Sequence, residues 1–209
     1  MCFSAPVSFI ASSGLAVVGA ASLREAKKQK DRRMVLVAVI PLFFAIQQAF
    51  EGIQWLSDPG SLPSIIAGYG FLFFAFLVWP TYIPLMVYIL DRKRRAFLRW
   101  FLVLGVMVTL SLLIALIISP LSVHVVQQSI DYRFFITPFS LLVLFYLTAT
   151  CGSLMFSSDI ALRVFGFAAL CSAMLAAAFF RATFISVWCF FVALMSVYLY
   201  AYIRYIRVH

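Results

Sequence analysis

Long apolar runs, separated by short polar connections, occupy most of the chain. A helix that crosses the hydrocarbon core of a bilayer, roughly 30 Å thick, needs about 20 such residues in succession. We predict a transmembrane helix in each of seven runs, at residues 5–23, 34–56, 66–90, 98–119, 134–156, 160–180 and 182–204. The pattern therefore predicts an all-α fold, a polytopic bundle of seven transmembrane helices in a single domain over residues 1–209.

The composition agrees with this class of protein. Hydrophobic residues make up 65% of the chain, charged residues make up 11%, and the mean hydropathy is +1.08, which is outside the range of soluble domains. A transmembrane β-barrel is excluded, because its strands alternate apolar and polar residues and stretches such as FLVLGVMVTLSLLIALIISPL do not. The first run has no basic stretch before it and no obvious cleavage site, so we expect a retained helix and not a secretory signal.

The basic residues are concentrated on one side of the predicted membrane. All of the 16 lysines and arginines except Arg133 and Arg181 follow the first or third helix, begin the sixth or lie in the C-terminal tail. Because basic connections stay cytoplasmic, we predict an external N-terminus, a cytoplasmic C-terminus and insertion in the cytoplasmic (inner) membrane. The same asymmetry explains the net charge of +9 without a nucleic-acid partner, since basic connections face anionic lipid.

The stretch AIQQAFEGIQW places a carboxylate and three amides inside the second predicted helix. Glu51 is the single acid within a span, and at 1.5 Å per residue it lies roughly 8–10 Å below the external surface. Helical spacing puts Gln47, Glu51 and Gln54 on one face. Trp55 lies beside that face, and Gln48 lies about 100° from it. An ionised group facing lipid costs roughly 2–3 kcal/mol, so we expect this face to point into the bundle.

Residues at the start of the last predicted helix are expected at the depth of Glu51. This helix enters from the outside at Arg181, so Thr183, Ser186 and Cys189 also fall in the outer half of the membrane. Ser186 and Cys189 begin a narrow stripe of small and polar residues, which we predict to pack inward. We further predict that Arg181 pairs with Glu51, because an opposite charge stabilises a buried carboxylate.

Two buried tryptophans need hydrogen-bond partners. Trp79, with Pro80, is predicted to interrupt the third helix near its middle, and Trp188 lies in the last helix. Buried indole N–H groups are normally bonded. Glu51 or Gln47 is the partner that we expect for each of them.

Two further features lie on the outer side. Cys2 stands at the external end of the first helix, where an oxidising compartment allows a disulfide with Cys189. The external connection that holds His124 alternates apolar and polar residues over 121–126, which predicts a short strand or a lid. Both features are expected near the polar face of the second helix.

Three motifs give the chain a resemblance to a known family. They are the MCFSA start, a QQxxEGxxW segment from Gln47 to Trp55 and a TFISVWCFF segment in the last helix. In these motifs the chain resembles a family of small, uncharacterised bacterial multi-pass membrane proteins, and the likeness extends over nearly the whole chain. The resemblance implies the same topology and attention to these residues, but no mechanism, because that family carries no assigned biochemistry.

Several chemistries are excluded by residue type. The lysines all lie in connections, so no helix supplies a Schiff-base lysine for retinal. Two histidines are too few for a zinc hydrolase or for bis-histidine haem, and we predict no metal site. A Cys-x-x-Cys pair is absent, which argues against a thiol oxidoreductase. No cofactor and no oligomeric state follow from the sequence.

We expect an outward-facing polar pocket around Glu51 that binds, senses or translocates a small or lipid-like ligand within the bilayer. Two alternatives stay open: a membrane-embedded enzyme with Glu51 as acid or base and Cys2 or Cys189 contributing, and a structural subunit of a membrane complex. The predicted ligand-binding residues are Cys2, Gln47, Gln48, Glu51, Trp55, Trp79, His124, Arg181, Thr183, Ser186, Trp188 and Cys189.

Overall fold

The fold is a bundle of helices with one β-hairpin, as seen in a computed structural model that describes residues 4–29, 31–126, 128–133 and 139–208. Over these residues the elements are α1 (Ala5–Lys27), α2 (Met34–Leu56), α3 (Leu62–Leu90), α4 (Arg95–Ile118), β1 (Ser122–Val126), β2 (Ser129–Arg133), α5 (Ser140–Met155), α6 (Ile160–Phe179) and α7 (Phe184–Tyr205). Within the described residues, six of the helices are long and apolar enough to cross a membrane. The shorter one is α5, and part of its predicted span, residues 134–138, lies outside the described residues.

The helices extend beyond some of the apolar runs that predicted them. α1 continues to Lys27, because Arg24 and Lys27 are good helix formers and favour the negative end of the helix dipole. α3 begins at Leu62, ahead of the predicted residue 66, because the side chain of Ser61 accepts the backbone N–H of Ser64 and caps the helix. Polar caps lie outside an apolar run, so hydropathy alone places these ends too far inward.

The predicted interruption of the third helix takes the form of a π-helical segment. This segment, Phe73–Val78, ends just before Trp79 and Pro80. Proline has no N–H to donate, and the carbonyl of Ala75, five residues earlier, accepts a hydrogen bond from the Tyr146 hydroxyl of α5 at 2.6 Å. A neighbouring helix thereby satisfies a carbonyl that the proline cannot.

The peripheral helices expose apolar surface. Half of the most apolar stretch of α2 and of α3 is buried, compared with 22% in α1 and in α4. The exposed side chains of α1 and α4 include Ile10, Val17, Met107, Ile114 and Ile117. The exposure of such apolar faces is unfavourable in water and favourable in the hydrocarbon of a bilayer. The architecture is therefore compatible with a membrane protein.

The hairpin lies between α4 and α5 and covers one end of the bundle. β1 pairs antiparallel with β2, with Ser122 opposite Arg133, and it confirms the strand predicted over 121–126. β2 is buried apart from Arg133 and packs against α7. Its Tyr132 stacks on Phe71 of α3, with ring centroids 4.8 Å apart and the planes 8° from parallel. The hairpin is thus fixed to α3 and α7 by a buried strand.

Candidate ligand site around Glu51

The Glu51 carboxylate lies inside the bundle, in contact with α7. The Ser186 hydroxyl donates a hydrogen bond to its Oε1 atom, and Gln48 Nε2 donates to Oε2 at 3.2 Å. The exposed fraction of all three side chains is 0%. The predicted inward orientation of this face is therefore confirmed, and the stripe that begins at Ser186 does pack inward.

The amide of Gln47 extends the polar centre toward α3. Trp79 Nε1 donates to Gln47 Oε1 at 2.8 Å, which confirms the partner predicted for this tryptophan. Phe44 holds the indole in place by stacking on it, with centroids 4.1 Å apart. The other prediction was wrong, because Trp188 Nε1 donates to the backbone oxygen of Ala169 on α6 at 3.0 Å. The nearer α6 backbone satisfies that indole instead of the polar centre.

Two polar atoms in this centre have no hydrogen-bond partner among the described residues. They are Gln47 Nε2 and Gln48 Oε1, on side chains with 0% exposed surface. The Cys189 thiol lies near Gln47 and Glu51, but the Gln47 nitrogen makes no hydrogen bond to it. Leaving such an atom unpaired costs about 1–3 kcal/mol, and folded proteins rarely leave one without a reason.

The remaining predicted residues lie outside this centre. Arg181 is exposed in the turn before α7, and the described ion pairs do not include one between it and Glu51, so the predicted pair does not form. His124 is exposed on β1, and Thr183 is buried just before α7 without contacting the carboxylate by a hydrogen bond. Trp55 is half-buried, and its indole nitrogen has no partner in the described part of the chain.

The two cysteines of the predicted disulfide, Cys2 and Cys189, are treated separately by the structure, since it describes only Cys189. Cys189 is buried and is a free thiol. Cys2 lies outside the described residues, so its part in the site stays a prediction. Among the described residues, no group of three or more His, Cys, Asp or Glu side chains is placed to hold a metal ion.

Two small apolar cavities adjoin the polar centre. Each has a volume of about 40 Å³, and they share a wall formed by Tyr146, Trp188 and Cys189. Trp79, whose indole donates to Gln47, also lines the first cavity. This volume admits a water molecule or two, whereas sites for small organic ligands measure about 300–1,000 Å³. The side chains of Gln47, Gln48 and Glu51 have no exposed surface, and neither of these two cavities is an open outward-facing pocket at Glu51, so that pocket stays a prediction.

Sequence reasoning overlooked Tyr146. This residue lines both cavities and donates to Ala75. A signal for it was present: Tyr146, Thr150, Ser153 and Ser157 recur at three- and four-residue steps in the fifth predicted helix, and all are buried. The rule that selected the polar face of α2 selects this face as well.

These features define a class: a helical protein, compatible with a membrane, that encloses a polar centre with one carboxylate. The comparison with protein families identifies the family to which the chain belongs. The chain belongs to DUF6629, a family of unknown function, whose model matches residues 1–208. Searches of curated proteins and of solved structures gave no match to the chain. The resemblance to an uncharacterised family over nearly the whole chain is confirmed, and it supplies no activity.

Proposed function

We propose that the protein is a seven-helix, single-domain protein of the cytoplasmic membrane that binds a small polar or amphipathic ligand at Glu51. In this proposal the N-terminus is external and the C-terminus is cytoplasmic. Six helices of spanning length support the membrane assignment, and α5 is taken as the seventh span. The strong bias of basic residues to one set of connections supports the orientation.

The observation that carries the ligand site is the group of unpaired atoms beside a buried carboxylate. Gln47 Nε2 offers a donor and Gln48 Oε1 offers an acceptor, and both are fully buried next to Glu51. A guest with both a hydroxyl or amine donor and an acceptor would satisfy them together. An ionisable residue at this depth in a membrane helix is by default a functional residue.

Access to this centre requires movement, because the carboxylate has no exposed surface. The hairpin is the element that we propose to move. Its second strand packs on α7, the helix that carries Ser186 in its first turn. The buried strand β2 fixes the hairpin in place, but a two-stranded hairpin has only marginal stability of its own. Its displacement therefore loses the packing of one short strand, which costs less than the displacement of a whole helix.

Native mass spectrometry tests the proposal, with lipids and metabolites extracted from the same detergent-purified sample. Wild type is compared with Glu51→Gln and with Asp58→Asn, a matched control that removes an exposed carboxylate from the connection after α2. We expect a co-purifying molecule in wild type and control that is lost from Glu51→Gln at unchanged thermal stability. The same molecule in all three proteins would refute the proposal, as would three empty proteins. If Glu51→Gln fails to fold, Ser186→Ala serves as the milder variant.

A second candidate function is suggested by the hydrogen bond from Ser186 to Glu51. A carboxylate that accepts the proton of a serine hydroxyl is placed as a general base for a nucleophile. In that case an organophosphorus probe should label Ser186, and labelling should disappear in Glu51→Gln. Retained labelling in that variant would remove the catalytic role of the carboxylate.

A further inference from the structure

A larger cleft lies at the other end of the bundle from the hairpin. It forms where the α1–α2, α3–α4 and α5–α6 connections meet the side chain of Tyr202, and it encloses about 350 Å³. This volume falls within the range of about 300–1,000 Å³ that is usual for small-molecule sites. The residues that matter for its charge are Asp31, Asp91, Arg92, Lys93 and Asp159.

Two of the acids are held mainly by backbone groups. Asp91 accepts hydrogen bonds from the backbone N–H groups of Ser158 at 2.6 Å, Lys93 at 3.1 Å and Arg94 at 3.2 Å. Burial opposes its ionisation, but the bonds from Ser158, Arg94 and Lys93 outweigh burial and hold the pKa of Asp91 below its ordinary value. Asp159 caps the first turn of α6 and also accepts from the Tyr202 hydroxyl at 2.6 Å.

The third acid, Asp31, is paired with Arg33, whose guanidinium makes two hydrogen bonds to its carboxylate. The hydrogen bond from Arg33 lowers the pKa of Asp31. The guanidinium of Arg33 also donates to the carbonyl of Ile89 at 3.1 Å. Asp31 and Arg33 neutralise each other, so neither side chain is available for a ligand of opposite charge.

Arg92 and Lys93 differ from the basic residues around them. Both are exposed, and in the described part of the chain neither side chain makes a hydrogen bond or a salt bridge. By contrast, Arg94 donates to the carbonyl of Phe156. Arg95 donates to the carbonyl of Tyr88 and lies over its ring. Arg92 and Lys93 therefore line the cleft with no hydrogen bond or salt bridge of their own among the described residues, although the charge of Arg92 also acts on the Asp31 carboxylate.

The surrounding charge strengthens this arrangement. Most of the 16 lysines and arginines lie at this end of the bundle, including the cluster Arg92 to Arg95, Arg99 and Arg163. Three of the lining residues are acids, but the basic residues around the cleft outnumber them, and a positive field concentrates anions. Arginine forms paired bonds to phosphate oxygens, and lysine adds a compact charge.

We propose that this cleft binds a phosphate-bearing anion, held by Arg92 and Lys93. The phosphate belongs either to the headgroup of an anionic phospholipid or to a soluble phosphate compound, and the two share the chemistry that the cleft recognises. The site does not depend on the function proposed for Glu51. It takes its ligand through exposed side chains, so binding needs no movement of the hairpin.

The test uses the full chain, stripped of lipid in a neutral detergent. Inorganic phosphate is titrated by calorimetry. In parallel, the protein is placed in phosphatidylcholine nanodiscs with and without phosphatidylglycerol, and the bound anionic lipid is counted by native mass spectrometry. The variant is Arg92→Gln/Lys93→Gln. Its matched control is Arg24→Gln/Lys27→Gln, which removes the same charge from exposed positions on α1 outside the cleft.

We expect the cleft variant to weaken binding by about tenfold or more, because charge-assisted bonds to phosphate are strong ones. The control should change binding by about twofold or less, because it alters only the general field. Binding of inorganic phosphate alone identifies a soluble ligand, and binding of phosphatidylglycerol alone identifies a lipid headgroup. Equal weakening by both double variants would overturn the proposal, as would a wild-type protein that binds neither probe.

Discussion

Replacing Gly105 with alanine should separate α3 from α4. A Cβ atom at Gly105 would lie 1.9 Å from the carbonyl oxygen of Pro80 and 3.0 Å from Pro84 Cγ. In an α-helix that oxygen accepts from the N–H four residues later, which here is Pro84, a residue without an N–H. The Cα hydrogen of Gly105 points at the oxygen in its place, a weak hydrogen bond that only glycine can make at this distance.

The size of the effect follows from this distance. The oxygen and the new Cβ must move from 1.9 Å to ordinary contact at 3.4 Å or more, so the helices have to part by about 1.5 Å. The bond between the Thr81 and Thr109 hydroxyls, 2.8 Å long, joins the same two helices and is strained by that movement. Overpacking costs about 1–3 kcal/mol and the lost Cα–H contact about 0.5–1 kcal/mol, while alanine gains up to about 1 kcal/mol in helix propensity. The free energy of unfolding should therefore fall by about 2 kcal/mol.

Equilibrium unfolding in mixed micelles, followed by circular dichroism, measures this loss. Gly14→Ala is the matched control, because Gly14 is exposed on α1 and a Cβ there meets no atom within 4 Å. The control should be neutral or gain up to about 1 kcal/mol from helix propensity. If Gly105→Ala proves as stable as Gly14→Ala, the close approach of α3 and α4 is not a feature of the folded protein.

Three other predictions concern single contacts. Tyr146→Phe should lower the free energy of unfolding by about 1 kcal/mol, because the Ala75 carbonyl loses its donor, and micelle unfolding checks this. The folded-state pKa of Asp91 is below its unfolded value of about 3.9, so its stabilisation is present above that pH and is lost as the pH falls through the folded-state pKa. Asp91→Asn should therefore reduce stability at neutral pH and flatten its fall on acidification, as seen in thermal unfolding across pH. The double variant Gly68→Cys/Val123→Cys should form a disulfide between α3 and β1, because a Cβ at Gly68 would lie 3.4 Å from Val123 Cγ2. This disulfide should block ligand exchange at Glu51 until it is reduced. Exchange at equal rates before and after reduction would show that the hairpin does not gate access.

The long apolar helices and the inward face of α2 were predictable because each depends on one quantity. Apolar length decides whether a helix can span, and the cost of exposing Glu51 to lipid decides which way its face points. The same reasoning found Gln47 as the partner of Trp79, since few polar groups are available at that depth. These predictions needed no knowledge of which helices are neighbours.

The partners across helices were not predictable in this way. Trp188 bonds to the backbone of Ala169, because α6 and α7 pack together, and a backbone carbonyl leaves no signal in the sequence. Arg181 was expected at Glu51 from charge alone, yet it lies in the exposed turn before α7. The complete burial of Glu51, Gln47 and Gln48 was likewise not predictable, since it depends on how tightly α2, α3 and α7 pack and not on which residues they carry.

The choice of partners around Glu51 bears on what the centre can do. An arginine at this place would hold the carboxylate ionised and would occupy its oxygens with a partner that is costly to remove. The Ser186 hydroxyl and the Gln48 amide are neutral donors instead. A hydroxyl can donate to an ionised carboxylate and can rotate to accept from a protonated one. The two hydrogen bonds described for this carboxylate are therefore ones that either of its protonation states can keep, whereas an arginine would fix it in the ionised form.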